Sequence, residues 1–227
     1  MKRFYTEVSV GDDRSILLDG RPVKTPARHF LVLPTVAMAK AVAGEWAAQG
    51  EDIDPRSMPI TGYANAAIDR VAPNISDFAA PLAEYAETDL LCYRADSQPE
   101  LAERQAALWD PVLGWAAQRY DVTFNIVHGL MHRPQPDLTI ETLAAAVRML
   151  DPYRLAALNP LVTISGSLVI ALAVIEHAMT PSAAFDTAHL DELWQAELWG
   201  EDDFALEARA IRQRDFLAAA QFIDLLD

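Results

Sequence analysis

The chain predicts an α+β protein, with a small N-terminal β-rich module carrying one helix at residues 1–58 and a larger all-α helical domain at residues 59–227. Three observations carry this reading. Apolar–polar alternation with a period of two is confined to the first 33 residues, where Asp-Gly and proline turn signals interrupt it. From Thr35 the apolar spacing changes to three and four, the period of a helix facing a core. Beyond a proline-punctuated link, Asp52 to Pro59, that helical spacing runs almost to the C-terminus.

In chain order, Phe4, Thr6, Val8 and Val10 alternate with Tyr5, Glu7 and Ser9 as a half-buried strand. Gly11-Asp12-Asp13 is a turn, and Ser15 to Leu18 meets Asp19-Gly20, a hairpin signal because both positions tolerate positive φ. Arg21 to Thr25 returns as an edge strand, since Pro22 and Pro26 cannot donate to a ladder, and His29 to Leu33 is a further strand. Thr35 then caps a helix whose Val36, Ala39, Ala43, Trp46 and Ala47 share one face, with Gly50 past its end. On that stripe Trp46 reads as structural.

Further helices are predicted at about 60–72, 74–87, 99–120, 139–150, 161–177, 181–199 and 203–226. Asp137-Leu138-Thr139 precedes one of them, and Thr180-Pro181 opens another with a cap and a first-turn proline. Val122 to Val127 reads as one short strand inside the helical region. The most apolar stretch, Leu161 to Ile175, reaches roughly 22 Å as a helix, short of a bilayer core of about 30 Å. It reads as a helix buried on nearly every side, with no membrane insertion.

With 52% hydrophobic and 22% charged residues among 227, the composition is that of a soluble globular chain. The balance of 18 basic against 33 acidic side chains, a net −15, excludes sequence-independent nucleic-acid binding and docking on anionic lipid. The acid is uneven. Residues 176–203 hold Glu176, Asp186, Asp191, Glu192, Glu197, Glu201, Asp202 and Asp203 with no lysine or arginine, whereas the first 28 residues carry six bases against four acids. The single cysteine, Cys92, reads as a structural thiol in a reducing compartment. No apolar targeting segment follows Met1-Lys2-Arg3, and the expected location is cytoplasmic.

Chemistry-bearing motifs are sparse. The chain has no GxGxxG, GxxxxGK[ST], CxxC or HExxH. His128 and His132 in HGLMH lack a third ligand, and Asp186-x-x-His189 lacks the second such pair of a di-iron bundle. The reading is no catalytic residue, no metal and no cofactor. Trp199 stands apart from the other four tryptophans. In Ala196-Glu197-Leu198-Trp199-Gly200-Glu201-Asp202-Asp203 it lies at a corner between helices, flanked by acids, where it could anchor a basic, partly apolar partner. Asp202 and Asp203 also read as caps of the last helix, and Asp191, Glu192 and Glu197 as a solvated helix face.

Several segments together resemble a known family: LDGRPVKTPAR (Leu18 to Arg28), LVLPT (Leu31 to Thr35), EWAAQGEDIDP (Glu45 to Pro55), MPITGYANAAID (Met58 to Asp69), YAETDLLCYRA (Tyr85 to Ala95), QAALWDPVLGW (Gln105 to Trp115) and AELWGED (Ala196 to Asp202). They resemble the ATP synthase assembly chaperones that escort the α subunit of the F1 sector, in mitochondria and in alphaproteobacterial homologues. The resemblance implies a non-enzymatic monomer that binds the F1 α subunit, keeps it from aggregating and yields it to the β subunit. It also implicates an acid of the Trp-Gly-acid region, carried to Glu197, with Glu201 as the alternative across Trp199-Gly200. The expected partner-binding residues are therefore Glu197, Trp199, Glu201, Asp202 and Glu192. The competing readings are an enzyme using paired carboxylates of the acidic segment on a cationic substrate, and a general holdase.

Overall fold

The computed structural model describes residues 1–129, 131–200 and 202–227. The fold is α+β, a small three-stranded module followed by a larger helical region. Two compact units divide it. The first holds Met1–Ile75, Asp151–Ala157 and Ala218–Asp227; the second holds Ser76–Leu150 and Leu158–Leu217.

In the first unit β1 (Val8–Val10), β2 (Ile16–Leu18) and β3 (Arg21–Pro22) form an antiparallel sheet in chain order, with Val8 opposite Leu18 and Leu17 opposite Pro22. The hairpin turn has positive φ at both central residues, 47° at Asp19 and 74° at Gly20, as a two-residue connection requires. The Asp19 carboxylate accepts hydrogen bonds from the Thr6 N–H (3.1 Å) and the Glu7 N–H (2.8 Å), fastening the incoming segment to the turn.

Helix α1 (Val36–Ala47) starts where the Thr35 hydroxyl accepts from the Met38 N–H at 3.1 Å. Its buried face is Met38, Ala39 and Val42, so the predicted stripe is rotated, and Val36 is 54% exposed. Trp46 packs edge-on against Tyr5 at 5.7 Å, beside the cluster of Tyr5, Leu18, Ile53 and Met58, and the Tyr5 hydroxyl donates to the Trp46 carbonyl at 2.7 Å.

Glu45, one residue earlier, reaches the start of α2 (Pro59–Ala66) and accepts from the N–H groups of Ile60 and Thr61 at 2.7 Å and from the Thr61 hydroxyl at 2.6 Å. Those are donors that a helix start leaves unsatisfied. Gln49 closes the link between the helices, donating to Ser57 Oγ at 3.0 Å and accepting from the Asp54 N–H at 2.8 Å. A π turn (Ala67–Val71) continues α2 and presents Asp69 to the Thr25 hydroxyl (2.6 Å) and the Ala27 N–H (2.8 Å). Glu45→Ala is expected to lower the unfolding free energy by about 2 kcal/mol, because it orphans a helix start. Urea denaturation checks this, and an unchanged midpoint would reject the capping role. Tyr153 and Phe222, from the two returning segments, stack at 6.3 Å within the same unit.

The second unit contains α3 (Ile75–Ala83), β4 (Tyr93–Arg94), α4 (Pro99–Tyr120), β5 (Val127–His128), α5 (Asp137–Arg148), the later part of α6 (Pro152–Ser165), α7 (Leu168–Ile175), α8 (Pro181–Ala188), α9 (Leu190–Trp199) and most of α10 (Asp203–Asp224). The short strand expected at 122–127 lies at Val127–His128 and runs parallel to Tyr93–Arg94, for which no strand was expected. Helix α4 matches its predicted limits, ending at Asp121 with φ 54°.

Two predicted helices are each broken into two. The segment 161–177 divides at Gly166 (φ 68°), and its first helix begins earlier, at Pro152. Ser165 Oγ turns back to the Leu161 carbonyl at 2.6 Å, and Ser167 Oγ caps α7 by accepting from the Ile170 N–H at 3.0 Å. All eight residues of α7 are buried. The segment 181–199 divides at His189, which is buried, stacked on Phe185 at 3.9 Å and held 2.8 Å from the Phe185 carbonyl. Among the described residues, no helix is long and apolar enough to cross a membrane.

Candidate partner-docking site

The Trp-Gly-acid corner lies in the second unit, between α9 and α10. Helix α9 buries Leu190 and Trp194 in its first turns, whereas Leu198 and Trp199 in its last turn are exposed. Gly200, at φ 87°, ends the helix in a conformation that a residue with a Cβ rarely adopts. Asp202 starts α10, its carboxylate accepting from the N–H groups of Phe204 (2.7 Å) and Ala205 (3.3 Å). The result is an apolar point. Leu198 is 52% exposed, Trp199 73% and Phe204 84%.

Beside this point a groove of about 380 Å³ runs between the two helices, lined by Glu192, Ala196, Trp199, Asp202, Leu206 and Arg212 among others. Glu192 crosses it to Arg212 at 2.6 Å. Glu197 is paired with Arg104 of α4 at 2.8 Å, and the same guanidinium lies over the Trp194 ring, 4.5 Å from its centroid. Both members of the Arg104–Glu197 pair are about half exposed, so the pair contributes only about 0–1 kcal/mol.

The structure thus brings four of the five expected partner-binding residues, Glu192, Glu197, Trp199 and Asp202, to one corner. Glu201 lies outside the described residues. The acids are not a free solvated face, however. Asp191 accepts from Gln105 Nε2 at 2.8 Å, and Glu176 accepts from Arg119 at 2.5 Å and from the Tyr120 hydroxyl at 2.7 Å. Glu192 and Glu197 hold arginines, and Asp202 holds backbone. Three acids of the base-free segment, Glu176, Glu192 and Glu197, are paired with arginines from α4 and α10, and its most exposed element is aromatic. Leu198 and Phe204 were not identified from sequence. Their available signal was Phe204 paired with Ile211 seven residues on, an apolar pair that α10 leaves 84% and 44% exposed.

The remaining candidates for chemistry are structural. Cys92 is fully buried, and burial together with the nearby Asp89 charge pushes its thiol up to about 12, away from nucleophilic chemistry. His128 sits in β5, while His132 lies between the Tyr93 hydroxyl (2.9 Å) and the Glu87 carboxylate (3.0 Å), so the two histidines do not share a helical face. Burial lowers the pKa of His189 in its stack on Phe185, and Asp186 is not among its hydrogen-bond partners. Among the described residues, no group of three His, Cys, Asp or Glu side chains could hold a metal ion. In the groove, Glu192 is committed to Arg212 and Asp202 to helix N–H groups.

A family model described as ATP12 chaperone protein matches residues 2–117. Atp12 from Paracoccus denitrificans is 41% identical, with a TM-score of 0.94 over 100% of this chain and 98% of that one. A D202K variant of the P. denitrificans protein Atp12p superposes with a TM-score of 0.95 at 41% identity, with the same coverage. A candidate chaperone from Agrobacterium tumefaciens is 42% identical, with a TM-score of 0.94 over 100% of this chain and 86% of that one.

Proposed function

The chain belongs to the ATP12 chaperone family and is an ATP synthase assembly chaperone; from that premise we propose that its client is the unassembled α subunit of the F1 sector, held by the α9–α10 corner until the β subunit replaces it. The observation that carries this reading is the apolar point of Leu198, Trp199 and Phe204 beside a groove with charged walls. An unassembled subunit exposes apolar surface that is buried in the finished complex, and such patches aggregate in water. A chaperone for it needs exposed aromatic anchors and a polar rim, and no active site. Trp199 is the proposed anchor. Glu192, Glu197 and Asp202 form the proposed rim, which Glu201 joins by its place in the sequence. The protein acts as a monomer in the cytoplasm under this reading.

Co-expression with F1 α subunit, followed by pull-down and light scattering of α alone, tests the proposal. The α subunit is expected to co-purify and to stay soluble longer than with an inert acidic protein of similar charge. Failure of both would overturn it.

Glu197→Lys separates binding from folding. The exchange removes a half-exposed ion pair and places a second cation beside Arg104, so melting is expected to stay near wild type. Association with α should slow several-fold at low salt, because a rim charge acts mainly on encounter. Stopped-flow association at two ionic strengths reads this, and a large fall in melting temperature would instead make Glu197 a structural residue.

A further inference from the structure

The first unit carries a groove of its own, with a volume of about 580 Å³, larger than that at the α9–α10 corner. Tyr5 and Leu18, 5% and 7% exposed, form its floor, while Phe4 rises at its edge 65% exposed. Its charge is opposite to that of the chain. Arg21 and Lys24 stand on its wall, and among the described residues neither is within 4 Å of a carboxylate oxygen, although the Arg21 charge is near enough to help lower the Asp19 pKa; Lys24 lies over the Phe30 ring at 5.0 Å. The one acid of the lining, Asp19, is turned to the N–H groups of Thr6 and Glu7. The Trp46 ring forms another wall, and its buried Nε1–H has no hydrogen-bond partner among the described residues.

We propose that this groove is a second docking site, and that it takes an extended protein segment carrying apolar and acidic residues in alternation. The apolar side chains lie on the Tyr5 and Leu18 floor against the Trp46 wall, and the acids meet Arg21 and Lys24. Charge complementarity selects this occupant. The chain as a whole carries −15 and repels any extended polyanion, so what the groove selects is local: a short segment whose few acids reach Arg21 and Lys24 while its apolar side chains cover the floor. For its role in assembly the proposal rests on the client reading above, and the segment would then belong to the same client.

The test uses the full chain, labelled with ¹⁵N, and a nine-residue capped peptide alternating leucine with glutamate, against a control peptide alternating leucine with lysine. The acidic peptide is expected to shift the Trp46 indole resonance, assigned with Trp46→Phe, in a saturable manner that weakens with added salt. The double variant Arg21→Glu, Lys24→Glu should lower the affinity roughly tenfold or more while the melting temperature stays at the wild-type value. Lys24→Glu alone gives the same direction should the double variant be poorly folded. An equal response to the lysine peptide, no shift of the Trp46 resonance, or a concentration-dependent dimer that competes with the peptide would each overturn the proposal. The peptide titration does not involve the α subunit, so failure of the client reading leaves it readable. Conversely, normal α binding by a double variant that has lost the peptide would remove the groove from client capture.

Discussion

Replacing Asp89 by alanine lowers the stability of the protein by about 4 kcal/mol, the largest loss expected from any single carboxylate in the chain. Asp89 is fully buried. One oxygen accepts from the Leu91 N–H at 3.0 Å, closing the turn that precedes β4, and the other accepts from the Val169 N–H at 2.9 Å, eighty residues away at the first turn of α7. The Ser167 side chain donates to it as well. Because every residue of α7 is buried, water cannot take over those donors when the carboxylate is removed. Asparagine restores shape but sets its own N–H₂ against N–H groups, so Asp89→Asn loses most of the same free energy.

The pH dependence follows from the same burial, which pushes the Asp89 carboxyl up to about 6. The folded state therefore binds this proton more tightly than the unfolded chain does. Between the ordinary carboxylate range near 4 and about 6, the Asp89 contribution grows as pH falls, and above about 6 it is flat at its lower value. Urea denaturation of wild type and Asp89→Asn at pH 7 and pH 5 isolates this group from the other acids. The gap between the two proteins should widen at pH 5. A gap that narrows would show that the backbone donors hold the carboxylate charged despite burial.

Much of the fold was readable where local signals coincide. Helix α4 has Pro99 at its first position and a left-handed Asp121 at its end, and its limits match expectation. The Asp19-Gly20 hairpin is equally local. The break between α6 and α7 was not readable, because Gly166 in an apolar run is tolerable within a helix. What makes the break is Asp89, together with the Leu90 N–H that donates to the Gly166 carbonyl at 3.0 Å, both supplied from far away in sequence. The return of residues 151–157 and 218–227 to the first unit is non-local in the same way. At the corner, the Trp-Gly-acid order marked Trp199 because a glycine after an aromatic helix end leaves that ring without cover. Glu192 and Glu197 near it look unpaired in sequence only because Arg212 and Arg104 come from other stretches of the chain.

That redistribution decides which substitution should matter most for client capture. The double variant Trp199→Ala, Phe204→Ala is expected to weaken binding of the α subunit by a hundredfold or more, about 3 kcal/mol, since aromatic anchors carry most of the free energy of an interface. Glu192, Glu197 and Asp202 cannot match this, because each already holds a guanidinium or backbone N–H groups, and a client cation must compete with that partner. Stability should move little in the other direction, as the two rings are 73% and 84% exposed and their removal leaves no cavity. Biolayer interferometry on freshly released α subunit measures the affinity, and light scattering of α shows whether protection falls with it. Binding within threefold of wild type, with a steep loss on adding salt, would transfer the role from the apolar point to the charged rim.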